Sequence, residues 1–315
     1  MGAALDLVKD MEQALGRSET DMSPWFHEDF IWDGNAGCGR KTGLRGFQTG
    51  WQHPFRAAFG NRRFDTPLWL EDGDWVACVG TCHATHSGDF MGIPPSGRPL
   101  SVPYVDFWQI RDGRIAYNKV NVDLAGVAAQ LGWDVFQGKG WDRLDPPVAR
   151  LWRGKQGHGA AAEPLEIVKA MEAALQRSDV DVSAFFHEDF VWDANYGCGL
   201  KHGLDEFESG WYLPFREFFG NRDFVTPHFM QDGDWAACFG ACHATLERDF
   251  MGIEATGQQI RIPYIDFWRI EGTKIAENIV RVDFASIVEQ LGGDVFAGRG
   301  WGREMPFDFS AQPAA

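Results

Sequence analysis

Apolar residues fall at steps of three and four near the start of the chain: Leu5, Val8, Met11, Ala14 and Leu15. That spacing predicts a helix over residues 3–17. Leu44, Phe47, Trp51, Phe55 and Phe59 keep the same steps and predict a second helix over residues 43–59, closed by Gly60. Between them "DFIWD" reads as a short strand. Beyond Gly60 the helical spacing stops, and residues 64–70, 75–85, 100–110 and 114–122 read as strands. The Asp-Gly pairs of "EDGD" and "RDGR" supply hairpin turns. "HSGDFMGIPPSGRP" is a loop rich in Gly and Pro. A closing helix is predicted over residues 123–131, with Asp123 at its N-cap and Gly132 at its end. Helices followed by hairpin-linked strands make an α+β domain, its helices packed on one face of a curved antiparallel sheet.

The whole pattern then recurs. "FHEDFIWDGNAGCG" from Phe26 returns as "FHEDFVWDANYGCG" from Phe186, and "DGDWVACVGTCHAT" from Asp72 returns as "DGDWAACFGACHAT" from Asp232. The offset is 160 in every matching pair, and about half the positions are identical. The chain is therefore predicted to carry two tandem domains, residues 1–145 and 163–305. A Pro-, Gly- and Ala-rich linker over 146–162 joins them, and a tail follows over 306–315. Each unit is long enough to bury its own core.

Charge narrows the partners. With 29 Lys and Arg against 45 Asp and Glu the net charge is −16, which disfavours nucleic acid and anionic membrane surfaces. No run of about 20 apolar residues predicts a membrane span. The N-terminus reads as an amphipathic helix rather than a signal peptide, so the expected location is the cytoplasm. Cys78 and Cys82 lie four residues apart along one strand, roughly 13 Å, too far for a mutual disulfide or a shared zinc. The six cysteines are expected to be buried free thiols. Metal-ligand spacings, a phosphate-cradling Gly loop and a nucleophile elbow are all missing, so neither metal nor cofactor is expected.

Three stretches carry a family resemblance: "HATHSGDFMGIPPSGRPL" from His83, "DFWQIRDGRIA" from Asp106 and "VDLAGVAAQLG" from Val122. Together they resemble the SnoaL-like polyketide cyclases, within the nuclear transport factor 2-like superfamily, over nearly all of each copy. The resemblance implies two cone-shaped domains arranged as an intrachain pseudo-dimer, each with a deep pocket between its helices and the concave sheet face. It also implies cofactor-free chemistry on a hydrophobic carbonyl compound. In that chemistry an Asp removes a proton beside a carbonyl, and the enolate closes a ring by an aldol step. The superfamily also contains isomerases and plain binding modules. Isomerisation, non-catalytic binding of a hydrophobic small molecule, and docking of a protein on the sheet therefore stand as alternatives.

Strand alternation selects candidate residues. Tyr104, Asp106 and Trp108 share one face and recur as Tyr264, Asp266 and Trp268. A carboxylate buried among aromatics has a raised pKa, which suits a general acid or base; the other reading is a structural carboxylate. In the last strand Ala116, Asn118, Val120 and Val122 are unchanged as Ala276, Asn278, Val280 and Val282. Their neighbours Tyr117, Lys119 and Asn121 drift to Glu277, Ile279 and Arg281. The first row is expected to face the pocket or the core, where Asn118 and Asn278 orient a substrate carbonyl or tie down a loop. The second row is expected to face solvent or a partner. His83 and His243 are expected beside the aspartates as acid–base partners, or as satisfied core histidines. Asp123 and Asp283 hold the family's late-Asp position, as catalytic groups or helix caps. Trp32, Trp51, Trp192 and Trp211 are expected to wall a pocket for a flat, hydrophobic ligand or to belong to the core. His86, a further binding candidate, lies in the loop that the second copy changes, where Leu246 replaces it. If that loop guards the pocket mouth the two sites take different ligands; if it packs between the copies they are alike.

Overall fold

In the computed structural model, which describes residues 2–141, 159–177, 179 and 181–302, the first apolar stripe forms α1, Ala3–Gly16. Residues 142–158 and 303–315, with most of the expected linker and all of the expected tail, lie outside the described residues. The second expected helix is present but interrupted. Helices α2 (Gly43–Phe47) and α3 (His53–Ala58) are joined by a π-helical turn, Gln48–Gln52. The strands are β1 (Phe26–Gly34), β2 (Arg40–Thr42), β3 (Phe59–Asp72), β4 (Trp75–His86), β5 (Pro99–Arg111) and β6 (Arg114–Val122). Helix α4, Leu124–Gln130, closes the copy. The second copy repeats every piece: α5 (Pro164–Gln176), β7 (Phe186–Ala194), β8 (Leu200–His202), α6 (Leu204–Phe207), a π-turn at Glu208–Tyr212, and α7 (Leu213–Phe218). Its remaining elements are β9 (Phe219–Asp232), β10 (Trp235–Leu246), β11 (Gln259–Glu271), β12 (Lys274–Val282) and α8 (Phe284–Gln290).

Each sheet has six strands, ordered β2-β1-β6-β5-β4-β3 in the first copy and β8-β7-β12-β11-β10-β9 in the second. The pairing is antiparallel except that β1 runs parallel to β6 and β7 to β12. The hairpin turns use left-handed backbone at Gly73 and at Asp112 and Gly113, as the Asp-Gly signals require. Register shifts between Gly60 and Arg63, and between Asp65 and Leu68, bend the long β3·β4 hairpin over the helices.

The two sheets meet back to back. Val79, Val105, Phe107 and Tyr117 of one convex face pack with Met230, Phe239, Ile265 and Phe267 of the other. Phe107 lies 5.5 Å from Phe267 and 5.2 Å from Phe239, centroid to centroid, and Trp75 stacks on His228 at 4.1 Å. The drifting row of β6 belongs to this buried face, so it meets a partner rather than solvent. The pair is thus an intrachain pseudo-dimer of α+β domains.

A second contact crosses between the copies at the ends of α4 and α8. Asp123 caps α4 through the Gly126 amide at 2.9 Å and accepts the Tyr196 amide of the other copy at 3.1 Å. Asp283 does the same with Ser286 at 3.0 Å and Ala36 at 2.8 Å. The loops after these helices continue across: the Trp141 amide donates to the Gly197 carbonyl and the Trp301 amide to the Gly37 carbonyl, both at 2.8 Å. Gly37 has φ +84°, and a Cβ there would sit 2.6 Å from the Phe296 ring of the other copy; Gly197 stands against Phe136 in the same way. Only glycine fits that approach.

Asp123→Ala or Asp283→Ala removes a helix cap and strands an amide of the opposite copy. Each is expected to lower stability by about 1–3 kcal/mol. Urea unfolding should show a lower midpoint with an unchanged slope; an unchanged midpoint would show that neither bond contributes.

Candidate functional site

Between the helices and the concave face of each sheet lies an apolar cleft, of about 780 Å³ in the first copy and 840 Å³ in the second, open mouths included. Helix α1 brings Val8, Met11, Glu12 and Leu15 to the wall, and β5 brings Tyr104, Asp106 and Trp108. Trp32 from β1 and Trp51 from the π-turn stack at 4.5 Å; Trp192 and Trp211 lie at the same distance with their rings tilted by 33°. A flat aromatic wall therefore faces a polar floor. π-turns are rare and recur at functional sites.

Asp106 is buried, with 6% of its surface exposed. Asn118 Nδ2 donates to Asp106 Oδ1 at 2.9 Å, and Asn278 binds Asp266 identically. Burial lifts Asp106 to about 8 against the opposing pull of the Asn118 bond, and the nearby Glu12 charge adds to the rise. The same causes lift Asp266 to about 7. Both carboxyls therefore change protonation near neutral pH.

A second polar group escaped the sequence reading. Tyr104 donates its hydroxyl to Glu12 Oε1 at 2.8 Å, and Thr66 donates to the same oxygen. In the second copy Thr226 donates to Glu172 at 2.8 Å and shares a 2.6 Å bond with Tyr264. Burial raises the pKa of Glu12, of Glu172 and, far more, of both tyrosines, which stay protonated. The signal was present: Glu12 stands inside the stripe formed by Val8, Met11 and Leu15, and Glu172 recurs between Met171 and Leu175. Cys78 and Cys82 also reach the floor, where burial pushes both thiols up, Cys82 to about 12.

Other expectations need correction. On β4 the pocket row is Cys78 and Cys82; His83 falls on the opposite row with Ala77 and Val79. Its ring pairs with Ser101 at 3.1 Å and lies 4.0 Å from Asp65, and His243 is exposed. Neither histidine accompanies the pocket aspartate. Asp123 and Asp283 are caps and cross-copy acceptors outside both linings. His86 packs near Phe59 and bonds Ser96 at 3.0 Å, also outside the lining. Asn118 reaches the site through Asp106, whereas Asn278 lines its pocket directly. In this loop the shared residue Phe90 touches Phe59 and, across the boundary, Trp301 at 5.7 Å, whereas the differing positions Ser87, Pro94, Pro95 and Ser96 are exposed. Gln52/Tyr212 and Val102/Ile262 are the only differences among positions that line both pockets. Among the described residues no group of three His, Cys, Asp or Glu side chains is placed to hold a metal, and no helix is long and apolar enough to cross a membrane.

Comparison with known proteins identifies both copies as SnoaL-like. Residues 6–131 match the family model described as SnoaL-like polyketide cyclase, and residues 168–278 match the SnoaL-like domain. The nogalonic acid methyl ester cyclase of Streptomyces nogalater is 30% identical over 129 residues, covering 40% of this chain and 93% of that protein. The aklanonic acid methyl ester cyclase AcmA of Streptomyces galilaeus is 25% identical over 139 residues, covering 42% and 92%. Among solved structures, IdmH of Streptomyces antibioticus aligns with 24% identity over 41% of this chain and 98% of its own, at a TM-score of 0.38.

The raised carboxyls link stability to pH. In the folded state Asp106 titrates near 8 and Asp266 near 7, both from an ordinary 3.8. Their contribution is complete below about pH 4 and is lost as pH rises through 7 to 8. Asp106→Asn with Asp266→Asn removes that loss. The melting temperature of the double variant, relative to the parent, is expected to climb between pH 5 and pH 9. A difference that stays flat with pH would mean that the aspartates are ionised throughout.

Proposed function

The chain belongs to the SnoaL-like polyketide cyclase family, and from that premise we propose that it cyclises a hydrophobic polycarbonyl compound without a cofactor, using Asp106 and Asp266 as bases. The observation that carries this reading is the buried aspartate at the floor of an aromatic cleft, held by an asparagine and titrating near neutral pH. A general base works best with a pKa close to the working pH.

The step balances within the substrate. The Asp106 carboxylate takes a proton from a carbon between two carbonyls. The enolate carbon attacks a second carbonyl carbon and forms the ring bond. When substrate is bound, Tyr104 turns its one hydroxyl proton from Glu12 to the oxygen that gains charge, while Thr66 keeps its own bond to Glu12. The proton on Asp106 returns to the product alkoxide, and the enzyme is restored. Asn118 positions the carboxylate, Trp32 and Trp51 hold the flat framework, and the apolar walls keep water from the enolate. The second pocket carries the same set. The relatives' substrates, nogalonic and aklanonic acid methyl esters, are the first candidates for turnover.

Asp106→Asn with Asp266→Asn is expected to cut turnover of nogalonic acid methyl ester by at least about a hundredfold while the protein stays folded. With single variants, kcat/KM should rise with pH through an apparent pKa near 8 for the first site and near 7 for the second. Product analysis by chromatography reads both. Thermal stabilisation of the parent protein by the ester without product would reject catalysis in favour of binding alone.

A further inference from the structure

Gln52 ends the π-turn beside Trp51, lines the first pocket and is 4% exposed. Neither its Nε2 nor its Oε1 has a hydrogen-bond partner among the described residues. A buried amide with both groups unpaired lowers stability, and an apolar side chain of similar size would avoid that cost. An amide offers two donors and an acceptor, so a ligand carbonyl or hydroxyl could satisfy it. The matching position of the second pocket is Tyr212. Its hydroxyl is bound to the Asp179 carbonyl and approached by Arg216, which leaves only the ring for a ligand.

We propose that Gln52 is a specificity-determining residue: it hydrogen-bonds an oxygen substituent of the ligand beside the Trp51 wall, a subsite that the second pocket lacks. The two sites of one chain then share their reaction chemistry and differ in one polar contact. The proposal rests on the cyclase reading and refines the substrate that each site prefers.

The test uses the full chain carrying Asp106→Asn and Asp266→Asn, titrated calorimetrically with nogalonic acid methyl ester, with and without Gln52→Leu. The expected result is that Gln52→Leu weakens one of two sites by about fivefold, leaves the other unchanged, and raises the melting temperature of the ligand-free protein. Two unaltered sites would overturn the proposal. So would a lower melting temperature, which would make Gln52 a structural residue. If the ester binds neither pocket, the ligand class of the preceding section fails separately. The ligand-free melting temperature then decides: a rise upholds the unpaired amide, and a fall overturns it.

Discussion

Both faces of each sheet are buried, and this constraint governs the rest of the molecule. On β5 the even positions Tyr104, Asp106 and Trp108 enter the pocket, while Val105 and Phe107 enter the contact between copies. The alternation has a period of two, so a slip of one residue would exchange the two sets. It would drive a carboxylate into the interface and a phenylalanine into the site. Packing of the two copies therefore fixes the register on which the site depends. Cys78 and Val120, which pair across strands with Asp106, hold it from either side.

Fusion relaxes a condition that a homodimer would impose. In a symmetric pair every substitution appears twice and must suit its own symmetry mate. Here the buried row of β6 and that of β12 have diverged. In the first copy Asp33 accepts the Tyr117 hydroxyl at 2.9 Å and faces Lys119 at 3.4 Å. In the second, Asp193 meets Arg281 at 3.9 Å, and Glu277 pairs with Arg269 at 3.2 Å. The same buried aspartate is answered by different cations. The positions that line both pockets have not diverged in this way, apart from Gln52/Tyr212 and Val102/Ile262.

Much of the fold was legible because its periods are clean. The helices, the four long strands, both Asp-Gly turns and the uniform offset followed from spacing alone. The face of β5 was legible because polar and aromatic residues alternate with apolar ones. The face of β4 was not: Ala77, Cys78, Val79 and Cys82 are all small or apolar, so pattern alone could not tell which row met the pocket. His83 was assigned to the wrong side for that reason. Glu12 was passed over as an ordinary helix residue, although a carboxylate within an apolar stripe needs a partner. The π-turn leaves no mark on the spacing of its large residues, and β2 is too short to show a period. The cross-copy contacts of Asp123 and Trp141 were invisible because nothing local distinguishes an intramolecular cap from one that also reaches another domain.

Those contacts tie each pocket to the opposite copy. Trp301 packs on Trp51 at 5.3 Å, and Lys41 donates to the Trp301 carbonyl at 2.8 Å. Trp141 lies 5.4 Å from Trp211 and 5.1 Å from Phe284. Trp51 and Trp211 are the inner walls of the two sites, so each wall is backed by an aromatic ring from the other domain. Without that ring a tryptophan edge would face water, and the stack that shapes the cleft would lose part of its packing. The back-to-back sheets set the strand register, and the crossed loops set the wall. Each domain thus supplies a buried aspartate and a floor for its own site and a support for its neighbour's, which makes the duplicated chain, rather than either copy, the unit that forms a complete pocket.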